Sequence, residues 1–314
     1  MSDSAGTMTA EKIAGEFKRQ EDSFRDWVTD DGSSDYPAAA GRYHLYVSLA
    51  CPWAHRTIIA RRLKALEGVI GMTVVDPLRD GRGWAFTDES DPVNGFQFLS
   101  EVYRSSDPQY RARVTVPVLF DKQSNRIVNN SEVDIVRMFN SAFGEWANGA
   151  VDLYPEPLRA EIDELDDLVY PHINNGVYRS GFAETQAAYE AGVVPLFAAL
   201  DQLEERLASR RYLCGNQITE ADWKLFVTLV RFDEVYYVHF KCNVRRIAEY
   251  ENLWAYVRDL YQQSGIAETV NMDHIKRHYY MTHDDINPFS IVALGPRDLD
   301  FTAAHGREKM GAGL

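Results

Sequence analysis

Cysteine is scarce in this chain: Cys51, Cys214 and Cys242 are the only three in 314 residues. A sparse, odd-numbered set is not the disulfide framework of a small secreted domain, and a reducing cytoplasm is the expected compartment. No His/Cys cluster has zinc-like spacing, so no metal is expected. No apolar run approaches the roughly 18–20 residues that span a bilayer. Residues 1–6 are small and polar, without the basic and apolar segments of a secretory signal. Basic runs are missing as well: 33 Lys and Arg stand against 47 Asp and Glu, a net charge of −14. That surface argues against nucleic acid and anionic membranes as partners.

What is present has a clear order. Residues 42–49 alternate, with Tyr43, Leu45, Val47 and Leu49 on one face and His44, Tyr46 and Ser48 on the other. This is a strand signal. Cys51-Pro52 follows, then a helical pattern from Trp53 to about Leu66 carrying Ile58, Leu63 and Leu66. Proline suits the first helical position, where its missing N–H costs nothing. Residues 70–75 read as a second strand. Residues 76–111, rich in Asp, Gly, Ser and Pro, read as a long insertion with a helical piece near 97–103. Loops of that length are usually functional or disordered. A third strand is expected over 114–120, with Pro117 inside it, and a short fourth over 126–128. Ser131 then caps a helix to about Asn140, with Asp134 in the capping-box position usually held by Glu or Gln.

After residues 144–156, which read as a linker, the pattern is helical to about Ala267. Leu158, Ile162, Leu165 and Ile173 recur at helical spacing, as do Val193, Leu196, Leu200, Leu203 and Leu207. Thr219-Glu220-Ala221-Asp222 opens a strongly apolar helix in the same capping-box manner. The last 45 or so residues carry Tyr279, Tyr280, Phe289 and Ile291 and read as an ordered extension. The expected domains are an N-terminal extension (1–41), a thiol-binding α/β domain (42–143, insertion at about 76–111), a helical domain (157–270) and a C-terminal extension (271–314). About two domains suit this length.

A proline inside a strand removes a ladder donor and demands an edge or a special conformation. A cis peptide between Val116 and Pro117 is one such conformation. With Cys-Pro at the start of the first helix, this is a thioredoxin-like arrangement, in which the proline loop faces the cysteine and offers backbone to a thiol ligand. The fold class is therefore α/β plus all-α. The thiolate is the reactive form of cysteine, and a helix N-terminus lowers its pKa from about 8.5 into the range ~3.5–7.5. The commoner fate of a lone cysteine is a small buried hydrophobe. Pro52 tips Cys51 towards catalysis, whereas Cys214 and Cys242, neither of which starts a helix next to proline, read as structural. Position 54 is alanine, so no internal thiol resolves an intermediate on Cys51. An external thiol must do so, which predicts monothiol, ping-pong chemistry.

A series of segments resembles one known family nearly end to end. It runs through Phe24-Arg25-Asp26-Trp27, Arg42 to Arg56, Val114-Thr115-Val116-Pro117-Val118 and Asn174-Asn175-Gly176-Val177-Tyr178. Val230-Arg231-Phe232-Asp233, His239-Phe240-Lys241-Cys242 and Asn271-Met272-Asp273-His274-Ile275 complete it. The chain resembles the Xi-class glutathione transferases, the glutathionyl-hydroquinone reductases. That resemblance implies a glutathione-transferase fold, with a thioredoxin-like N-terminal domain followed by an all-helical C-terminal domain, and usually a homodimer. It implies reduction of glutathionyl-hydroquinones to hydroquinones, the catalytic cysteine carrying the glutathionyl group as a mixed disulfide until a second glutathione releases it.

Carried over residue by residue, the resemblance puts Trp84 and Arg113 beside the thiol and gives it the backbone of Val116 ahead of Pro117. For Trp84 the plain alternative is an anchor packed on the core. Tyr178, Tyr236 and Tyr279 match tyrosines lining the aromatic-substrate pocket, where a phenol O–H can follow charge onto the substrate oxygen; among 17 tyrosines, packing is the ordinary role. His55 and Arg56 read as structural or dimer residues, and His274 as a satisfied polar one, with a contact to the pocket as its alternative. Ser131-Glu132 departs from the family, which has Glu-Ser where a carboxylate and a hydroxyl grip the γ-glutamyl group. One residue along a helix turns a side chain by about 100°. An N-cap serine with a first-turn glutamate explains the pair structurally. Functionally, it leaves open whether the co-substrate is glutathione or mycothiol, which has no γ-glutamyl group. Glutaredoxin-like reduction of mixed disulfides or dehydroascorbate, and a non-enzymatic binding module, are the other readings.

Overall fold

The computed structural model describes residues 12–13, 15–87 and 90–311. The chain divides into two compact units. Of the described residues, 19–152 and 271–278 fall in the first, and 12–13, 15–18, 153–270 and 279–311 in the second. Two short strand pairs come early in sequence. β1 (Lys12–Ile13) and β2 (Glu16–Phe17) are antiparallel, and β3 (Val28–Thr29) and β4 (Tyr36–Pro37) are parallel.

The first unit is built on a five-stranded mixed sheet in the order β7-β6-β5-β8-β9. Its strands are β5 (Tyr43–Val47), β6 (Gly71–Asp80), β7 (Gly83–Phe86), β8 (Val118–Asp121) and β9 (Arg126–Asn129). β5 and β6 run parallel, joined through α1 (Pro52–Leu63); β8 and β9 form an antiparallel pair ahead of α3 (Glu132–Ser141). α1 packs on α3, and α2 (Leu99–Ser106) on β7 and β9. This is the thioredoxin-like sheet expected from the sequence.

Several local expectations are corrected. β8 begins at Val118, so Pro117 lies just before the strand rather than within it, as a residue without an N–H should. The Val116–Pro117 peptide is cis. α1 ends at Leu63, short of Leu66, because Ala65 turns left-handed (φ 54°). The insertion is not loop throughout: β6 continues to Asp80 and turns through Gly83 (φ 97°) into β7. Ser131 occupies the N-cap of α3, but its side chain makes no capping bond. Asn129 Oδ1 accepts the Ser131 N–H at 2.7 Å, the reach-back bond that the capping-box residue at position 134 would otherwise make. Asp134 is turned away to Arg25 (2.5 Å) and Asn129 (3.0 Å).

The second unit is helical: α4 (Arg159–Val169), α5 (Gly176–Gly181), α6 (Gln186–Leu207), α7 (Glu220–Arg231) and α8 (Glu251–Tyr261). π-helical turns at Tyr170–Asn174 and Phe232–Tyr236 follow α4 and α7. At the start of α7 the Thr219 N–H donates to Asp222 at 2.8 Å, the reach-back expected there. α9 (Met272–Thr282) belongs to the first unit up to His278 and to the second from Tyr279. Beyond it the chain is ordered by a different device from the one expected. Phe289 and Ile291 are exposed. Buried Arg307 holds the segment instead, donating to the carbonyls of Leu207, Arg210 and Arg211. Among the described residues no helix is long and apolar enough to cross a membrane.

Candidate active site

In the first unit, Cys51 stands at the N-cap of α1 with Pro52 at the first helical position. The half-buried Sγ lies 3.6 Å from the carbonyl oxygen of Val116, next to the cis proline. The first-turn N–H groups of a helix have no intrahelical acceptors, and this end of the dipole favours an anion. The other two cysteines are unsuited to such a role. Burial pushes the Cys214 thiol up to about 11 and raises Cys242 further.

The remaining thiol-site candidates are held by parts of the chain to which the sequence assigned no function. Arg113 pairs through its backbone with Gln20: its N–H donates to Oε1 (3.0 Å) and its carbonyl accepts from Nε2 (2.9 Å). Trp84 is buried, with the Arg79 guanidinium 5.6 Å from its ring and the His278 imidazole stacked on it at 5.0 Å. Glu132 makes a buried ion pair with Arg56 of α1 at 2.6 Å. The structure thus puts Cys51 against Val116 and ties Glu132 to α1, but it does not bring the Ser131 hydroxyl to the helix backbone.

Residues 24–26 run antiparallel to β9 and its sequel. Arg25 bridges Asn129, and the Phe24 carbonyl accepts the Asn130 N–H at 3.1 Å. Asp22, just before this pairing, lies near enough to Glu132 for the two charges to interact. Burial first, and the Glu132 charge second, raise the Asp22 carboxyl from 3.8 to about 6, against the opposing pull of Arg25 and Arg19. The sign follows by linkage. A folded pKa above the unfolded one means that the folded state holds the extra proton between about pH 4 and 6, so stability falls as pH rises through that window. Asp22→Asn should therefore raise the melting temperature at pH 7.5, with the gain vanishing by about pH 4. A gain that does not vary with pH would contradict this account.

In the second unit three phenols share one hydroxyl. Tyr279 Oη lies 2.5 Å from Tyr178 Oη and 2.8 Å from Tyr236 Oη. All three rings are buried, and burial raises Tyr236 and Tyr279 well above 10, so these are O–H groups at neutral pH. Phe240 packs on each ring of the trio. It also lies so close to Gly181 that an added Cβ would meet its ring at 2.2 Å, which explains the glycine. His239, behind Phe240, is lowered to about 4 by burial and lies 3.1 Å from His283. His274, read as satisfied, donates its backbone N–H to Asn271 (2.9 Å), but its buried Nδ1 has no partner among the described residues.

Comparison with known proteins fits this arrangement. The family model of the glutathione S-transferase C-terminal domain matches residues 186–259. Over 306 residues the chain is 49% identical to the glutathionyl-hydroquinone reductase YqjG of Escherichia coli, covering 94% of this chain and 93% of that one. The chain belongs to the Xi class of glutathione transferases. A second relative in this class of glutathionyl-hydroquinone reductases, PcpF of Sphingobium chlorophenolicum, is 48% identical over 90% of both chains. The glutathione-bound structure of YqjG superposes with a TM-score of 0.89, covering 91% of this chain and 96% of that one. The Xi-class enzyme of Natrialba magadii superposes equally well, at 53% identity over 91% of this chain and 89% of its own.

The Xi-class segments quoted from the sequence include Phe24-Arg25-Asp26-Trp27 but not Gln20, Asp22 or His278. For His278 a signal existed: it follows His274 by four residues, one turn along the same helix face.

Proposed function

We propose that this chain removes the thiol from glutathionyl-hydroquinones through a mixed disulfide on Cys51, releasing hydroquinone. One observation carries the reading most directly: a half-buried thiol at the start of α1, 3.6 Å from the Val116 carbonyl beside the cis proline. The Cys51 thiolate attacks the sulfur of the aryl thioether. The S–S bond forms, the C–S bond breaks, and its electron pair stays on the aromatic carbon, which takes up a proton. A second thiolate then attacks the mixed disulfide and frees Cys51, leaving as the disulfide of the carrier thiol. The aromatic carbon gains two electrons, and the two carrier sulfurs, one from the conjugate and one from the free thiol, lose one each, so the cycle balances. Val116 offers its backbone to the cysteinyl unit, and Trp84 and Arg113 flank the carrier. Tyr178, Tyr236 and Tyr279 offer their phenol O–H groups to the hydroquinone oxygen as charge moves into the ring. Glutathione is the co-substrate on this reading, the protein is a cytoplasmic homodimer, and no metal takes part.

Mycothiol is the alternative carrier. What favours it is the Ser131-Glu132 order together with the Arg56–Glu132 ion pair, which engages the first-turn carboxylate within the protein. The experiment is turnover of one hydroquinone conjugate with each thiol in turn, alongside a simple mixed disulfide. Efficient turnover with glutathione and none with mycothiol ends the mycothiol reading. Preference for the mixed disulfide over the conjugate would replace the whole proposal with a glutaredoxin-like one.

A further inference from the structure

Trp84 sits on the outermost strand of the sheet, paired with Arg79 immediately past a break in the ladder. β6 and β7 pair at Val75 with Phe86, then only at Arg79 with Trp84 and Asp80 with Gly83, the register breaking between Val75 and Arg79. An irregularity of this kind bends its strand and re-aims the side chains beside it. The indole is nevertheless 5% exposed. The ring that covers it is His278, whose centroid lies 5.0 Å away with the planes 20° apart.

His278 is itself pinned. Its Nδ1 is 2.7 Å from the carbonyl oxygen of Pro77, 201 residues away in sequence. A carbonyl only accepts, so Nδ1 carries the hydrogen and donates it. Pro77 lies inside the broken stretch of β6, where the ladder supplies no partner. One imidazole thus meets the Pro77 carbonyl inside the irregular stretch of β6 and lays its face on the tryptophan just past the break.

We propose that His278 is a positioning residue for the thiol site, setting the plane of the Trp84 indole through the stack while the bond to Pro77 sets its own. The inference rests on the reading of Trp84 as a contact of the carrier thiol. Trp84 then meets the part common to both half-reactions, the carrier, and not the aromatic leaving group. Loss of His278 therefore acts on the KM for the free thiol and for its conjugates, leaves kcat at saturation nearly unchanged, and does not alter the order of preference among aromatic groups.

The test is a cycle of His278→Ala, Trp84→Ala and the double variant in the full-length enzyme, with KM and kcat measured for the thiol. His278→Phe keeps the ring without the anchor, and His278→Asn keeps a donor without the ring; both remain measurable should the alanine variant fold poorly. The expected result is a rise in KM of roughly three- to tenfold for His278→Ala, within the range of an aromatic pair, and a smaller rise for each conservative variant. In the Trp84→Ala background the same change should have no further effect, because contacts that act through one another are not additive. If Trp84→Ala leaves the thiol KM unaltered, the reading of Trp84 fails and the proposal falls with it. If Trp84→Ala raises KM while His278→Ala either does nothing alone or multiplies the defect in full, Trp84 is a thiol contact and His278 does not position it.

Discussion

Cys51→Ser should lose turnover by on the order of a thousandfold or more, the scale expected when a covalent nucleophile is removed. Serine keeps the size and the helix-start position but offers no thiolate for attack on sulfur. Nothing else in the chain can stand in. Position 54 is alanine, Cys214 is buried with its thiol raised to about 11, and Cys242 is buried completely. Replacing either of those by alanine should leave turnover within about twofold, since each is a packing thiol. The chemical readout is as decisive as the rate. Wild-type protein mixed with the conjugate in the absence of free thiol should gain one glutathionyl group by intact mass and release one equivalent of hydroquinone. The serine variant should do neither. Retained turnover, or a glutathionyl group found on Cys214 or Cys242, would remove Cys51 from the mechanism.

Cys51 was legible because its setting is local. Pro52 at the first helical position follows from a fixed φ and a missing N–H, and the strand before it follows from a two-residue period. The same period is silent about burial: Tyr43, Leu45 and Val47 alternate with His44 and Tyr46, and all five positions are buried. The polar face is internal and satisfied: His44 meets the Thr73 hydroxyl at 2.7 Å, and the Tyr46 hydroxyl donates to Asp91 at 2.9 Å. Gly71 makes room for that histidine, since a Cβ there would lie 2.5 Å from its Nδ1. Periodicity reports which residues share a face and not what covers it. For the same reason the pairings that dress the site were out of reach. Gln20 with Arg113, Trp84 with His278 and Arg56 with Glu132 join positions 93, 194 and 76 residues apart, and no local pattern in a single sequence encodes them.

Arg56→Ala should destabilise the protein by about 3–5 kcal/mol, the cost of stranding one member of a buried ion pair. Both side chains are almost wholly covered, at 3% and 8% exposure, so solvent cannot take over from the missing guanidinium. The pair also joins α1 to α3, so the loss falls on the contact that holds the Cys51 helix against the helix starting at Ser131. Asp22 sharpens the effect, because its charge already opposes that of Glu132. Arg56→Met with Glu132→Leu removes both charges at similar volume and should recover most of the stability, as such replacements of buried pairs often do. Urea unfolding of the two variants checks the difference. The double variant then separates two roles for Glu132. If its carboxylate only braces α1 on α3, the restored protein keeps its KM for the carrier thiol. If it also grips the carrier's amino group, glutathione KM rises by about tenfold or more despite restored stability, the scale of a lost charge-assisted hydrogen bond. A carrier without a free amino group should be indifferent to the exchange. The variant made to measure the brace therefore also tests which thiol Cys51 works with.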